Sequence, residues 1–355
     1  MSGRQRVAVV TGGGGGIGAA VAEELGGRGW FVVTVDPLVT LDGTERLPEP
    51  QETTAGRIVA AGGTARASSV SVSDAAAVQE LFQDLTDRHG AVDAVVNVAG
   101  ITRKSGFAEG TEEDWLALLT VHLGGFLNVL GAALPLMAAS GHGRVVGVTS
   151  GSGWRAADAG GYSCAKRVVA SLTWQLGSLT PAGVTVNAIS PIAATRMVAA
   201  AVERARQEGR TGGGGGLSLF KSMPGPEALA PLGAHMVSDE FGWCTGQVLF
   251  AGGSETAVID QPRLIEVVRT DDVASLPHVL KTVIPRAFAT AEANQQSDGG
   301  GNPRFGPVFD EASASDLSPA DVRSCAVVSD RPVLASAIAG VLEGRSVVCH
   351  RLEPT

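Results

Sequence analysis

The sequence predicts an α/β fold, a doubly wound parallel sheet, and three observations predict it. Short β-branched runs recur with helical segments between them. A cluster of glycines stands directly between the first such run and the first helical pattern, and the second run ends in an acidic residue about twenty positions further on.

Arg6 to Val10 reads as a buried parallel strand. Thr11-Gly12-Gly13-Gly14-Gly15-Gly16-Ile17-Gly18 follows, then a helical pattern from Ala19 to Leu25. Glycines in that context let the backbone turn tightly and approach a pyrophosphate, which the amides and dipole of a helix N-terminus stabilise. Trp30 to Val35 is the second strand and ends at Asp36. An acidic side chain there accepts hydrogen bonds from the adenosine ribose hydroxyls and repels a ribose phosphate. No Arg or Lys occupies the glycine loop, so the expected cofactor is NAD. Asp93 to Gly100 is a further strand ending in small residues, with Asn97, Ala99 and Gly100 placed to let a cofactor lie against backbone. Helices are expected over 75–89, 112–139 and 162–180.

The sole tyrosine of the chain, Tyr162, precedes Lys166 by four positions. A phenol titrates near 10 in water, and an ammonium one helical turn away favours its ionised form. Moving it towards 7 requires ~4 kcal/mol of differential stabilisation, at about 1.4 per unit.

These pieces resemble a classical short-chain dehydrogenase/reductase, with a Rossmann fold, over roughly residues 5 to 255. Thr-Gly-x-x-x-Gly-Ile-Gly at 11 to 18, Asn-x-Ala-Gly at 97 to 100, Ser-x-x-Gly at 150 to 153, Tyr-x-x-x-Lys at 162 to 166, Asn187 to Pro191 and Gly246 to Gly253 stand in the family's order. The resemblance implies that Tyr162 is the general acid/base and that Lys166 lowers its pKa and binds the nicotinamide ribose. It implies that Ser150 holds the substrate oxygen and Thr195 the carboxamide. Pro191 and Ile192 are expected beside the nicotinamide, and Ser71 and Val72 beside the adenine, where Asp-Val is usual. His122, in Val121-His122-Leu123, replaces the asparagine that helps hold a proton-relay water. Val-His-Leu, Pro191-Ile192 and the insertion after Asp36 resemble more weakly the 3-hydroxyacyl-CoA dehydrogenase domain of multifunctional enzyme type 2. Trp154, Arg155, Ile192 and Met197 are expected to line a mostly apolar pocket.

The net charge of −9 and a pI near 5.2, with no basic stripe, argue against nucleic acid and anionic membranes. No signal pattern precedes the first strand and no apolar run reaches spanning length. The four cysteines have no metal spacing, so no metal and a reduced, cytoplasmic setting are expected. Thr40 to Ala55 looks loose, and Arg204 to Gly216, with a second run of five glycines, reads as a lid hinge or plain disorder. Residues 1–255 are expected to form the catalytic domain, 256–290 a helical extension, 291–320 a linker and 321–355 a strand-helix-strand appendage. The family's helices imply a homodimer or homotetramer. The function expected is interconversion of a secondary alcohol and a ketone, on a 3-hydroxyacyl-CoA or on an apolar natural-product or steroid-like ketone. The rival from another class is a non-catalytic NAD-binding scaffold, which retention of Ser150, Tyr162 and Lys166 opposes.

Overall fold

The computed structural model describes residues 4–154, 160–207, 223–253, 255–262, 277–278, 281, 323–328 and 332–352. The chain divides into two units, Met1–Gly306 and Pro307–Thr355.

In the first unit the strands are β1 (Val7–Thr11), β2 (Phe31–Val35), β3 (Thr64–Ser68), β4 (Ala94–Asn97), β5 (Gly143–Val148), β6 (Val184–Pro191), β7 (Val248–Gly252) and β8 (Glu255–Ile259). They lie in the order β3-β2-β1-β4-β5-β6-β7-β8. All neighbours are parallel except β7 and β8, which form an antiparallel pair. The chain winds outward from β1 to β3 and then crosses to β4, so the switch point lies between β1 and β4, where this class of sheet binds its ligands.

Alternation along β1 separates two cores. Val7 and Val9 face Phe82, Leu85, Phe126, Val129 and Met137, whereas Ala8 and Val10 face Val21, Leu25, Ile58 and Met236. Helices on both faces follow from this, since a strand buried on both sides is apolar at every position, as Val7 to Val10 are. The first core is closed by α3 (Ala75–His89), α5 (Gly125–Ser140) and α7 (Gly160–Leu176); the second by α1 (Gly16–Gly27), α2 (Thr54–Ala60) and α9 (Ala230–Met236).

Four expectations from sequence are corrected. The helix expected over 112–139 is interrupted: α4 (Glu112–Leu119) passes through a π-helical turn, Thr120–Gly124, into α5. A π turn inserts an extra residue and re-aims the side chains around it. The whole span is long and apolar enough to cross a membrane, but α5 is built into the core through Phe126, Val129 and Met137. The helix expected over 162–180 begins at Gly160 and ends at Leu176. Gly177 follows, and a Cβ there would lie 2.2 Å from Gly246 Cα, so the chain crosses β7's lead-in at backbone distance. Residues 256–259, expected in a helical extension, instead complete β8 on the sheet edge. The 40–55 segment is ordered by turn chemistry: Asp42 accepts from Thr40 and Thr44, which holds its carboxyl down at about 2, and Thr102 N donates to Leu41 O at 2.7 Å.

The second unit contains β9 (Ser324–Val328), α10 (Pro332–Glu343) and β10 (Val348–Leu352), with β9 and β10 paired in parallel as a strand-helix-strand element. Cys325 and Cys349 are register partners, their sulfurs 3.5 Å apart. The linker expected over 291–320 and the glycine run after residue 207 lie outside the described residues.

Candidate active site

Thr11, Asp36, Asn97, Ser150 and Pro191 all fall at or just beyond the carboxyl ends of strands, on one rim of the sheet. This rim gathers most of the sequence-expected site.

The glycine loop is fixed by backbone proximity. Gly12 has a φ of +65°, and a Cβ there would stand 2.8 Å from Ala99 N. A Cβ on Gly18 would lie 2.2 Å from Gly12 O, so α1 packs against the loop as no other residue would allow. Thr11 Oγ1 donates to Asn97 Oδ1 at 2.8 Å and accepts from Ala99 N, which ties β1 to the end of β4. Gly100 is equally constrained, since its Cβ would meet the His122 ring at 2.3 Å.

Helices α2, α3 and α4 begin with a side-chain cap from Thr53, Asp74 and Thr111. Helix α1 follows Gly15, an N-cap with no side chain to offer, leaving its first-turn amides to an external acceptor. Asp36 stands at the loop's flank: its Oδ2 accepts from Gly14 N at 3.1 Å and its Oδ1 from Leu38 N at 2.9 Å. Uncapped amides at one end and an oriented carboxylate at the other fit a dinucleotide, the pyrophosphate against α1 and the adenosine ribose against Asp36. Val72 is buried and its carbonyl accepts from Asn128, while Ser71 is hydrogen-bonded to Ser73.

The residues expected to transfer protons come together between β5 and α7. The Ser150 hydroxyl lies close enough to the Tyr162 phenol to favour its ionised form. The preceding Thr149 hydroxyl, 1 % exposed, donates to Lys166 O at 2.6 Å. Gly153 permits this contact of strand end and helix, as a Cβ there would stand 2.8 Å from Lys166 C. Lys166 is buried, with its ammonium 5.8 Å from the Tyr162 ring centroid and donating to Val148 O at 2.8 Å. Burial lowers the ammonium to about 8. Burial also raises the phenol above its ordinary value, and the Ser150 hydrogen bond only partly opposes it. The lowering of the phenol expected from Lys166 is therefore outweighed by desolvation in the chain alone.

The π turn carries His122 inward. Its ring meets Tyr162 edge-on, with centroids 5.1 Å apart, and is 2 % exposed. Nε2 lies 2.8 Å from Ile101 O and 3.2 Å from Ile101 N, and Nδ1 is buried without a partner among the described residues. Burial first, and the Lys166 charge second, push the imidazole down to about 3, against the weaker pull of Ile101. An orphaned buried polar atom of this kind is a water site.

Beyond β6, Ile192 N donates to Ala251 O. Thr195 caps α8 (Arg196–Gln207) through Val198 N, and its Cγ2 stands 3.8 Å from where a Gly16 Cβ would be. Trp154 Nε1 donates to Ser190 Oγ at 2.8 Å. Arg155, expected in the pocket, lies outside the described residues.

Sequence reasoning missed Arg196. Its guanidinium Nη2 comes within 3.1 Å of the Cβ position of Gly15, so a cation does stand over the glycine loop, delivered from 181 residues away in sequence. No local motif signals that approach.

Comparison with known proteins agrees with this geometry. The family model described as short chain dehydrogenase matches residues 6–206. The chain is 33 % identical over 254 residues to the short-chain reductase protein NovJ of Streptomyces niveus, spanning 70 % of this chain and 94 % of that one. It is 32 % identical over 199 residues to the peroxisomal hydratase-dehydrogenase-epimerase of Saccharomyces cerevisiae, covering 56 % of this chain and 22 % of that longer protein. Among solved structures, a variant of the actinorhodin polyketide ketoreductase with NADPH superposes with a TM-score of 0.59 at 27 % identity, over 70 % of this chain and 96 % of that one.

Proposed function

Because the chain belongs to the short-chain dehydrogenase family, we propose that it is an NAD-dependent oxidoreductase interconverting a secondary alcohol and a ketone, with a 3-hydroxyacyl-CoA as the alcohol. The observation that carries the reaction is the Tyr162 phenol with the buried Lys166 ammonium 5.8 Å from its ring and the Ser150 hydroxyl beside it. A bound nicotinamide dinucleotide supplies the hydride acceptor for oxidation and the donor for reduction.

The chain's own residues do the rest. Raised above its ordinary value by burial, the Tyr162 phenol gives its proton to a ketone oxygen; in the reverse direction it takes the alcohol proton. Ser150 donates to the same oxygen and stabilises the charge that develops on it. Lys166, at about 8, stays positive at pH 7 and favours the phenolate each time it forms. His122 remains neutral, so it places no second positive charge beside that ammonium. Its unpartnered, buried Nδ1 holds a water at the inner end of the site.

NAD over NADP rests on Asp36, whose carboxylate faces the loop where a ribose phosphate would be repelled. The coenzyme A thioester rests on the resemblance to the dehydrogenase of multifunctional enzymes and on the match to the Saccharomyces protein. We further propose pairing of subunits through α4 and α5, where Leu116 and Leu127 are exposed apolar residues. The test is hydride transfer followed at the nicotinamide absorbance, with NAD and NADP against 3-hydroxyacyl-CoA thioesters and simple apolar alcohols. Tyr162→Phe should lower kcat by about 10²- to 10⁴-fold, the usual worth of a positioned acid/base, with NAD binding retained. Turnover on free ketones alone would discard the thioester; silence across the panel with NAD bound would favour a binding scaffold.

A further inference from the structure

We propose that Arg196 is a pyrophosphate-binding residue: from the first turn of α8 its guanidinium supplies the positive charge that the glycine loop lacks. The inference rests on the dinucleotide-binding reading above and assigns a new residue to it.

The argument begins with what surrounds the start of α1. Gly15 is its N-cap and contributes no side chain, so the first-turn amides point outward with the positive end of the helix dipole behind them. Arg196 Nη2 lies 3.1 Å, and Cζ 3.8 Å, from the Cβ position of that same glycine. Any side chain at Gly15 would contend with the guanidinium for this space. The neighbouring residue makes the same approach one step along: Thr195 Cγ2 is 3.8 Å from the Gly16 Cβ position. Two successive residues of one segment therefore lie against two successive residues of the loop.

The electrostatics of that arrangement are incomplete as they stand. A guanidinium beside the positive end of a helix is repelled by it, and Arg196 makes no ion pair or hydrogen bond among the described residues. The acid at the loop, Asp36, is turned to the other flank, where it accepts from Gly14 N and Leu38 N. Two positive features facing one another across a glycine backbone become favourable when an anion lies between them. A diphosphate suits the gap, because its oxygens accept from helix amides on one side and from the planar fork of an arginine on the other. The position of Arg196 on Gly15, rather than on the Gly14 side with Asp36, is what assigns it to the diphosphate and not to a phosphate on the adenosine ribose.

The segment from Thr195 to Met197 also carries residues expected to meet nicotinamide and substrate. Binding of the diphosphate by Arg196 would fasten that segment to α1, so one ligand holds the two walls of the site together.

The experiment measures binding, independent of turnover. The full chain, with Arg196→Gln and Arg196→Lys, is titrated calorimetrically with adenosine, ADP, ADP-ribose and 2′,5′-ADP at low and moderate salt. The expected result for Arg196→Gln is a loss of about 10-fold for ADP and ADP-ribose, the size of one charge-assisted hydrogen bond, with adenosine unchanged and a shallower salt dependence. Arg196→Lys should recover part of the loss. Unchanged affinity for ADP would overturn the proposal, as would an equal loss for adenosine, which reports general damage. A loss confined to 2′,5′-ADP would overturn it in favour of a ribose-phosphate site. A raised KM for an acyl-CoA with ADP binding intact would overturn it in favour of the substrate's phosphates. Failure of the parent chain to bind any adenine nucleotide would sink the dinucleotide reading itself, and this inference with it. Arg196 is exposed, so its substitution is expected to leave the melting temperature unchanged, which keeps loss of fold distinguishable from loss of binding.

Discussion

Replacing His122 by asparagine should make the fold less sensitive to acid, and the size of the effect follows from the structure. In the folded chain the imidazole titrates at about 3, chiefly because it is buried and secondarily because Lys166 is close. In the unfolded chain it titrates near 6.5. A depressed folded value means that the unfolded state binds the extra proton, so stability is full above pH 6.5 and falls as pH drops towards 3. Between pH 7 and pH 5 this single group costs about 2 kcal/mol, from roughly 1.4 kcal/mol per pH unit below the unfolded value. The assay is urea denaturation of parent and His122→Asn at pH 7 and pH 5, comparing the change within each protein so that every other titrating group cancels. The parent should lose about 2 kcal/mol more than the variant over that interval. An equal loss in the two proteins would refute a buried, neutral His122, and with it the unpartnered ring nitrogen placed beside Tyr162.

Gly18→Ala should destabilise the fold by about 1–3 kcal/mol, seen as a lowered melting temperature, because the new methyl would lie 2.2 Å from Gly12 O in a place where neither backbone can retreat. Asp36→Asn removes the carboxylate from the loop's flank while leaving the amide positions intact, and should narrow the preference for NADH over NADPH in a fluorescence titration; an unchanged ratio would remove Asp36 as the selector. Mild oxidation with oxidised glutathione should remove two of the four thiols, with peptide mapping finding Cys325 joined to Cys349, since their sulfurs already stand 3.5 Å apart on paired strands. Four remaining thiols would count against that approach.

Much of the fold is legible in the sequence because its signals are local. A strand buried on both faces is apolar throughout, as Val7 to Val10 are, and a glycine loop between strand and helix has a mechanical reason to stand there. The antiparallel β8 was not legible: Glu255 to Ile259 is two polar residues followed by three apolar ones, with no strand period, and only pairing with β7 distinguishes it from an extension. The same limit applied to the helix over 112–139, where nothing in Thr120 to Gly124 announces a π turn, although that turn decides which way His122 points.

By itself the sequence determined the parallel α/β architecture, the strand ends that carry Thr11, Asp36, Asn97 and Ser150, and the pairing of Tyr162 with Lys166 on one helical turn, because each depends on period, spacing or a neighbouring residue. Only the tertiary structure decided the electrostatics. It buried the Tyr162 phenol and raised it, lowered the Lys166 ammonium to about 8 and His122 to about 3, and brought Arg196 against Gly15. Desolvation and charge proximity are set by what surrounds a group in space, and a chain read in one dimension does not contain that environment until it folds.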